Sequence, residues 1–237
     1  MNEIPYEYLQ GGGYFGPKFT GVFLFENIFW RVVIPIAIGT PSVNTVASLV
    51  AMPDDFKRRL IEDVRKRELY KAYWADCLDY DQGRHYFSME PPKDPAVELV
   101  ASVDRDLLST ISDLAQPEPN ANAMHNARLA TEKAMKAFLC LRHSMTIAAV
   151  RKDFQHDLGK LAAEVVKRDP QSEMAELVPE IGNFASYSDR YADRPFSRLE
   201  LWAAYRCAQF AASALMRALT PYNQRAAMAR VPGKSRY

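Results

Sequence analysis

The stretch "HNARLATEKAMKAFLCLRH", residues 125 to 143, has the apolar periodicity of a well-packed helix. Glu132 and Lys136 stand four apart in it, with the acid nearer the N-terminus, the favourable order for a surface ion pair on a helix. Leu129 and Cys140 fall on the same side, so we expect the N-terminal region or a second subunit to cover part of it. We therefore predict a helix with the Glu132–Lys136 pair facing solvent. Its buried stripe follows the helical period and comprises Met124, Ala127, Thr131, Ala134, Phe138 and Leu141.

Further helical patterns follow one another along most of the chain. Ser197 and Glu200 form the S-x-x-E capping box, in which side chains and backbone amides satisfy each other at a helix start. Residues 1 to 20 contain clustered glycines and are expected to form a loose arm or turn. The first predicted helix begins at Pro53 with a capping Asp54 and ends at Gly83. Further helices are predicted over about 95–115, in the opening stretch, in the segment "DFQHDLGKLAAEVVKRDP" and over 171–183. The last predicted helix begins at Ser197 and continues through residue 218.

One apolar segment, "GVFLFENIFWRVVIPIAI" at residues 21 to 38, raises the question of a membrane span. Glu26 and Arg31 interrupt it, and Pro35 would break a spanning helix. Its unbroken apolar runs fall well short of the ~20 residues that a bilayer requires. We predict a buried core helix followed by an irregular turn, and no membrane insertion.

The composition is that of a soluble globular protein. Apolar residues make up 48% and charged residues 25% of the 237 residues, which excludes a largely disordered chain. The net charge of +1 implies that binding to nucleic acid must come from a local patch. Cys77, Cys140 and Cys207 are widely separated thiols without a C-x-x-C pair. We therefore predict that the three cysteines are reduced and buried and that the protein is cytoplasmic.

The order of several short motifs resembles the HEPN superfamily, named for higher eukaryotes and prokaryotes nucleotide-binding domains. The second helix of that family typically reads A-x-x-x-x-E-K-A-x-K-A, and the third typically begins with His-Asp-Leu. An Arg-Tyr pair precedes its last long helix. The matching positions here are Ala127, Glu132, Lys133, Ala134, Lys136 and Ala137, then His156, Asp157 and Leu158, and finally Arg190 and Tyr191.

The resemblance covers about residues 95 to 219 and implies an all-α fold. It predicts a HEPN-like up-and-down bundle of four or five helices, commonly a homodimer. Residues 1 to 94 would form an N-terminal helical extension of unassigned family, and residues 220 to 237 a C-terminal tail. Neither a cofactor nor a metal ion is implied.

Some members of this family resemble metal-independent ribonucleases built around Arg-x4–6-His. In that chemistry the His acts as a general acid or base on the ribose 2′-hydroxyl, and the Arg stabilises charge on the phosphate. Arg151 and His156 fit the spacing, but the family's pair usually lies near the start of the last long helix. His156 instead occupies the structural His-Asp-Leu position, where a helix-start residue bonded to backbone is the expected role. The position therefore favours a non-catalytic protein.

Three arginines lead into the last long helix, where backbone amides and the helix dipole favour an anion. Arg190, Arg194 and Arg198, together with His156, are the candidate ligand-binding residues for a nucleotide or RNA phosphate. The alternative is a solvated loop in which the arginines pair with Asp189 and Asp193.

For three further clusters of residues, a structural role is the better interpretation than a functional one. Cations from Lys57 to Arg67 alternate with acids, which is typical of an ordinary charged helix face. Asp76, Asp79, Asp81 and His85 offer oxygen and nitrogen ligands but lack the order of an EF-hand. The tyrosines and tryptophan at residues 70 to 80 recur at helical spacing, which favours core packing over base stacking.

Three functions remain open from the sequence. The first is a non-catalytic, dimeric binding module for a nucleotide or RNA. The second is a ribonuclease of toxin or defence type that uses Arg151 and His156. The third is a protein-interaction scaffold whose N-terminal extension docks on the bundle and whose cations keep it soluble.

Overall fold

The structure is a computed structural model that describes residues 17–35, 44–89, 91–185 and 195–229. Its helical bundle confirms the predicted all-α fold, with one small two-stranded sheet as an addition. The strands are β1 (Pro17–Phe25) and β2 (Ile28–Pro35). The α-helices are α1 (Asp54–Glu62), α2 (Val64–Met89), α3 (Val97–Leu114), α4 (Asn122–His143), α5 (Ile147–Phe154), α6 (Leu158–Arg168), α7 (Arg198–Leu219) and α8 (Gln224–Ala229), and the 3₁₀ helices are Thr45–Ser48 and Glu173–Asn183.

The prediction of a core helix at residues 21 to 38 is wrong, because this segment begins as an antiparallel β-hairpin. Glu26 and Asn27 both take positive φ angles, 49° and 60°, which give the tight two-residue turn that suits a hairpin. Phe23 and Ile34 are fully buried beneath the sheet. The part of the segment beyond Pro35 lies outside the described residues.

The hairpin packs on the bundle at close range. A Cβ atom at Gly21 would lie 2.3 Å from the Tyr73 Oη atom, so only glycine lets β1 approach α2 this closely. The Tyr73 and Tyr205 hydroxyls form a buried hydrogen bond of 2.9 Å that joins α2 to α7 at the same place.

The single helix predicted from Asp54 to Gly83 is two helices. α1 ends at Glu62 because the next residue, Asp63, has an extended ψ of 97°. The Asp63 Oδ1 atom accepts the backbone N–H of Lys66 in the first turn of α2. Asp54 makes no side-chain cap, since Pro53 occupies the N-cap position. α2 then continues past Gly83 to Met89.

The bundle centres on α4 and α7, which pack against each other, while α3 lies on α4 and α2 lies on α7. The predicted capping box at Ser197 and Glu200 is confirmed at the start of α7. The short helix predicted at residues 171 to 183 is present as the 3₁₀ helix Glu173–Asn183. One continuous core includes the hairpin, α2 and the later helices, so α2 is part of the packed bundle.

Candidate functional site

The Glu132–Lys136 pair is buried, so the prediction that it faces solvent is wrong. Glu132 is 3% and Lys136 6% exposed, and the Lys136 Nζ atom donates to Glu132 Oε1 over 2.7 Å. α4 is covered by α3, α7, α5 and α6, which leaves little of it open to water. A helical period distinguishes two faces of a helix but does not show whether both are covered.

His156 lies beside this buried pair. The His156 Nδ1 atom is 3.2 Å from both carboxylate oxygens of Glu132, while 53% of the His156 side chain remains exposed. An ionised carboxylate only accepts hydrogen bonds, so this contact selects a state of the imidazole with a proton on Nδ1. The ring is therefore oriented by a buried group while part of it stays open to solvent.

The turn between α5 and α6 presents His156 to α4. Gln155 takes a positive φ of 45°, a rare conformation for a non-glycine residue, and its carbonyl accepts a hydrogen bond from the Lys136 ammonium. The Arg128 guanidinium donates to the carbonyls of His156 (2.8 Å) and Ala185 (3.3 Å). Two cations of α4 thus hold the backbone on both sides of the imidazole, a geometry that sequence spacing does not reveal.

Asp157, rather than His156, starts α6. Its Oδ1 atom accepts the backbone N–H of Lys160 over 2.9 Å, and this hydrogen bond lowers the pKa of the Asp157 carboxyl. The expected helix-start role of the His-Asp-Leu segment is therefore carried by the aspartate. The side chain of His156 is directed to Glu132 instead.

Exposed cations lie on α5 and α6, the two helices that flank His156 in the sequence. Arg151, Lys152 and Lys160 are exposed, and Lys160 pairs loosely with Asp157 at 3.6 Å. From Arg142 to Arg168 the sequence has six Lys or Arg and three Asp or Glu residues. This segment of the chain is therefore more positive than the chain as a whole, whose net charge is +1.

The other candidate residues have different positions. Arg190 and Arg194, with Tyr191, lie outside the described residues. Arg198 donates to the carbonyls of Asn27 (3.1 Å) and Pro117 (2.9 Å), so its guanidinium ties the start of α7 to the hairpin turn and to the α3–α4 loop. Its predicted contact with a ligand stays a prediction.

The acids of α2 form a second polar cluster, which is structural. Arg217, whose side chain is 3% exposed, donates to Asp76 (2.9 Å) and Asp79 (3.1 Å). Arg225 also donates to Asp76, at 3.2 Å. Burial raises the pKa of both Asp carboxyls, against the opposing effect of the arginines. These carboxylates are matched by cations, and no group of three or more His, Cys, Asp or Glu in the described ranges is arranged for a metal ion.

The three cysteines are buried and free, as predicted. Burial raises the pKa of the Cys140 thiol to about 11 and that of Cys207 to about 12. Because the thiolate is the reactive form, these side chains are inert core residues.

Comparison with known proteins identifies no relative: no protein-family model, curated protein or solved structure matches this chain. Of the helices in the described part of the chain, none has both the length and the apolar character needed to cross a membrane. The function is therefore inferred from the geometry around His156 and Glu132.

Proposed function

We propose that this chain is a HEPN-like, non-catalytic helical binding module that holds a phosphate group of a nucleotide or RNA beside His156. The contact between His156 and the buried Glu132 carries this proposal. It joins two of the three sequence segments on which the HEPN resemblance rests, and it orients a partly exposed imidazole in a segment with several exposed cations. Orientation before binding lowers the entropy cost of holding a ligand.

Electrostatics support a phosphate as the bound group. Arg151, Lys152 and Lys160 are exposed on the helices before and after His156, and charge-assisted hydrogen bonds to an anion are stronger than neutral ones. In the proposed complex the imidazole contacts the phosphate, while Arg190 and Arg194 add the cations expected from the sequence. The resemblance also leads us to propose a cytoplasmic homodimer, which light scattering of the purified protein would test.

Titration with fluorescently labelled single-stranded RNA and with nucleoside triphosphates tests the binding function. We expect affinity to fall with increasing salt, because binding releases counterions from the phosphates. His156→Ala should weaken binding, whereas His85→Ala, at an exposed histidine of α2, should leave it unchanged. Absence of binding to every one of these ligands would overturn the proposal.

A metal-independent ribonuclease is the second candidate, and the oriented imidazole is the observation that favours it. A histidine held through Nδ1 by a buried carboxylate is suited to transfer a proton at its other nitrogen. Arg151 would then stabilise charge on the phosphate. RNA cleavage in the presence of a chelator, lost in His156→Ala and retained in His85→Ala, would establish this activity. Equal RNA turnover by both variants would exclude it.

A further inference from the structure

A cavity in the described part of the chain is lined by residues other than His156. It has a volume of about 740 Å³, within the usual ~300–1,000 Å³ of small-molecule sites. We call it the hairpin groove, because its walls are the β1–β2 turn, the α1–α2 junction and the first turns of α7. The residues that the argument uses are Phe25, Glu26, Arg59, Lys66, Leu199 and Trp202.

The groove has an apolar floor and an apolar rim. Phe25 and Trp202 belong to the core, being 6% and 5% exposed, and they form the base. Leu199 is 67% exposed, more than any other large apolar side chain in the described ranges. Leu199 therefore offers uncovered apolar area beside the cavity, which an apolar ligand could cover.

Three cations and two acids line the groove, namely Arg59, Lys66 and Arg206 against Glu26 and Asp63, and Asp55 outside the lining also pairs with Arg59. Glu26 is already engaged, since its two oxygens accept from Arg59 Nε (2.7 Å) and Nη2 (2.8 Å). The Asp63 carboxylate accepts a backbone N–H of α2. Among the described residues, the Lys66 ammonium has no ion-pair partner, and Arg206 on the opposite wall has one, Glu180 at 2.9 Å.

A strained turn keeps this arrangement in place. Glu26 has a φ of 49°, a conformation that costs a non-glycine residue of order 1–3 kcal/mol and that persists only when its surroundings hold it. The paired hydrogen bonds to Arg59 supply that restraint, and Arg59 also stacks on Phe56 at 4.1 Å. The Glu26–Arg59 pair therefore connects the hairpin turn to α1 at the edge of the groove.

We propose that the hairpin groove binds a small organic anion, with its apolar body between Leu199 and Trp202 and its anionic group paired with Lys66. The apolar floor excludes a purely inorganic anion as the best fit, and the unpaired ammonium disfavours a neutral or cationic ligand. This site is independent of the phosphate site beside His156, because the two share no residue.

Two dyes with the same skeleton test the proposal. 8-Anilinonaphthalene-1-sulfonate has the apolar body and an anionic group, whereas N-phenyl-1-naphthylamine has the body alone. Fluorescence titration of the folded protein should show one site that prefers the sulfonate. Lys66→Gln should weaken sulfonate binding about fivefold, the scale of one exposed ion pair, and leave the neutral dye unaffected.

Leu199→Ser should weaken binding of both dyes, because both use the apolar rim. Lys71→Gln and Leu108→Ser are the matched controls: each removes an accessible side chain of the same type outside the groove. Unchanged far-UV circular dichroism and Tm establish that each variant is folded. The proposal is overturned if Lys66→Gln behaves like Lys71→Gln, or if Leu199→Ser behaves like Leu108→Ser.

Discussion

At the residue scale, Glu132 links more parts of the candidate site than its neighbours do. Its carboxylate meets the Lys136 ammonium within α4 and the His156 imidazole beyond α5. Lys136 in turn holds the carbonyl of Gln155 in the turn that precedes α6. Removing the charge of Glu132 would therefore leave a buried ammonium without its counter-charge and would weaken the contact that orients the imidazole.

We expect Glu132→Gln to lower the free energy of unfolding by about 3 kcal/mol, the lower end for breaking a buried ion pair, because Lys136 keeps its bond to Gln155. Glu68→Gln is the control, since Glu68 pairs with Lys71 on the surface and its side chain is 56% exposed. That change should cost less than about 1 kcal/mol. Urea unfolding followed by circular dichroism measures both, and equal losses would contradict the buried-pair account.

The sequence identified these residues but not their surroundings. The stripe through Ala127, Ala134 and Phe138 is buried as its period predicts. The sequence predicts that Glu132 and Lys136 face solvent, because a polar pair on the far side of an apolar stripe usually does. α4 is instead enclosed by several helices, and the spacing of residues within one helix carries no information about what its neighbours cover.

At the element scale, most helices were predictable and the hairpin was not. Helix starts such as Ser197 have side chains that cap backbone amides, and this signal is local in sequence. The turn at Glu26 and Asn27 lacks the Asn-Gly or Asp-Gly pair that usually marks a two-residue hairpin. The sequence likewise carries no signal for the break between α1 and α2 at Asp63, because charged residues continue through it without proline or glycine.

The contact between α2 and α7 gives an element-scale prediction. A Cβ atom at Gly83 would lie 2.6 Å from the Met216 Cβ atom, whereas one at Gly182 would meet nothing within 4 Å. Gly83→Ala should destabilise the fold by about 1–3 kcal/mol through overpacking. The higher helix propensity of alanine should offset up to ~1 kcal/mol of that loss. Gly182→Ala should be neutral or slightly stabilising. Thermal unfolding of both variants checks this, and a rise in Tm for Gly83→Ala would show that the helices can separate without cost.

At the scale of the whole molecule, hydrogen bonds and ion pairs to buried carboxylates connect the C-terminal end of the described chain to α2. Asp79 of α2 is fully buried, and its carboxylate accepts the backbone N–H groups of Gln224 and Arg225 at the start of α8. Arg217 joins the same carboxylate from α7. The predicted C-terminal tail, residues 220 to 237, therefore includes a helix docked on α2 in its described part.

The burial of the Asp79 carboxyl in this contact predicts an unusual dependence of stability on pH. Burial raises the pKa of Asp79 above its ordinary value of 3.8, more than the amides of Gln224 and Arg225 and the Arg217 guanidinium lower it. The folded protein then binds a proton that the unfolded chain releases, so the stability from this group is fully present below about pH 4 and declines as pH rises through the raised pKa. Asp79→Asn removes the titration. The stability of the wild type relative to Asp79→Asn, measured by urea unfolding from pH 4 to pH 7, should therefore decrease as pH rises. An increase over this range would mean that the hydrogen bonds to the charged carboxylate outweigh its burial.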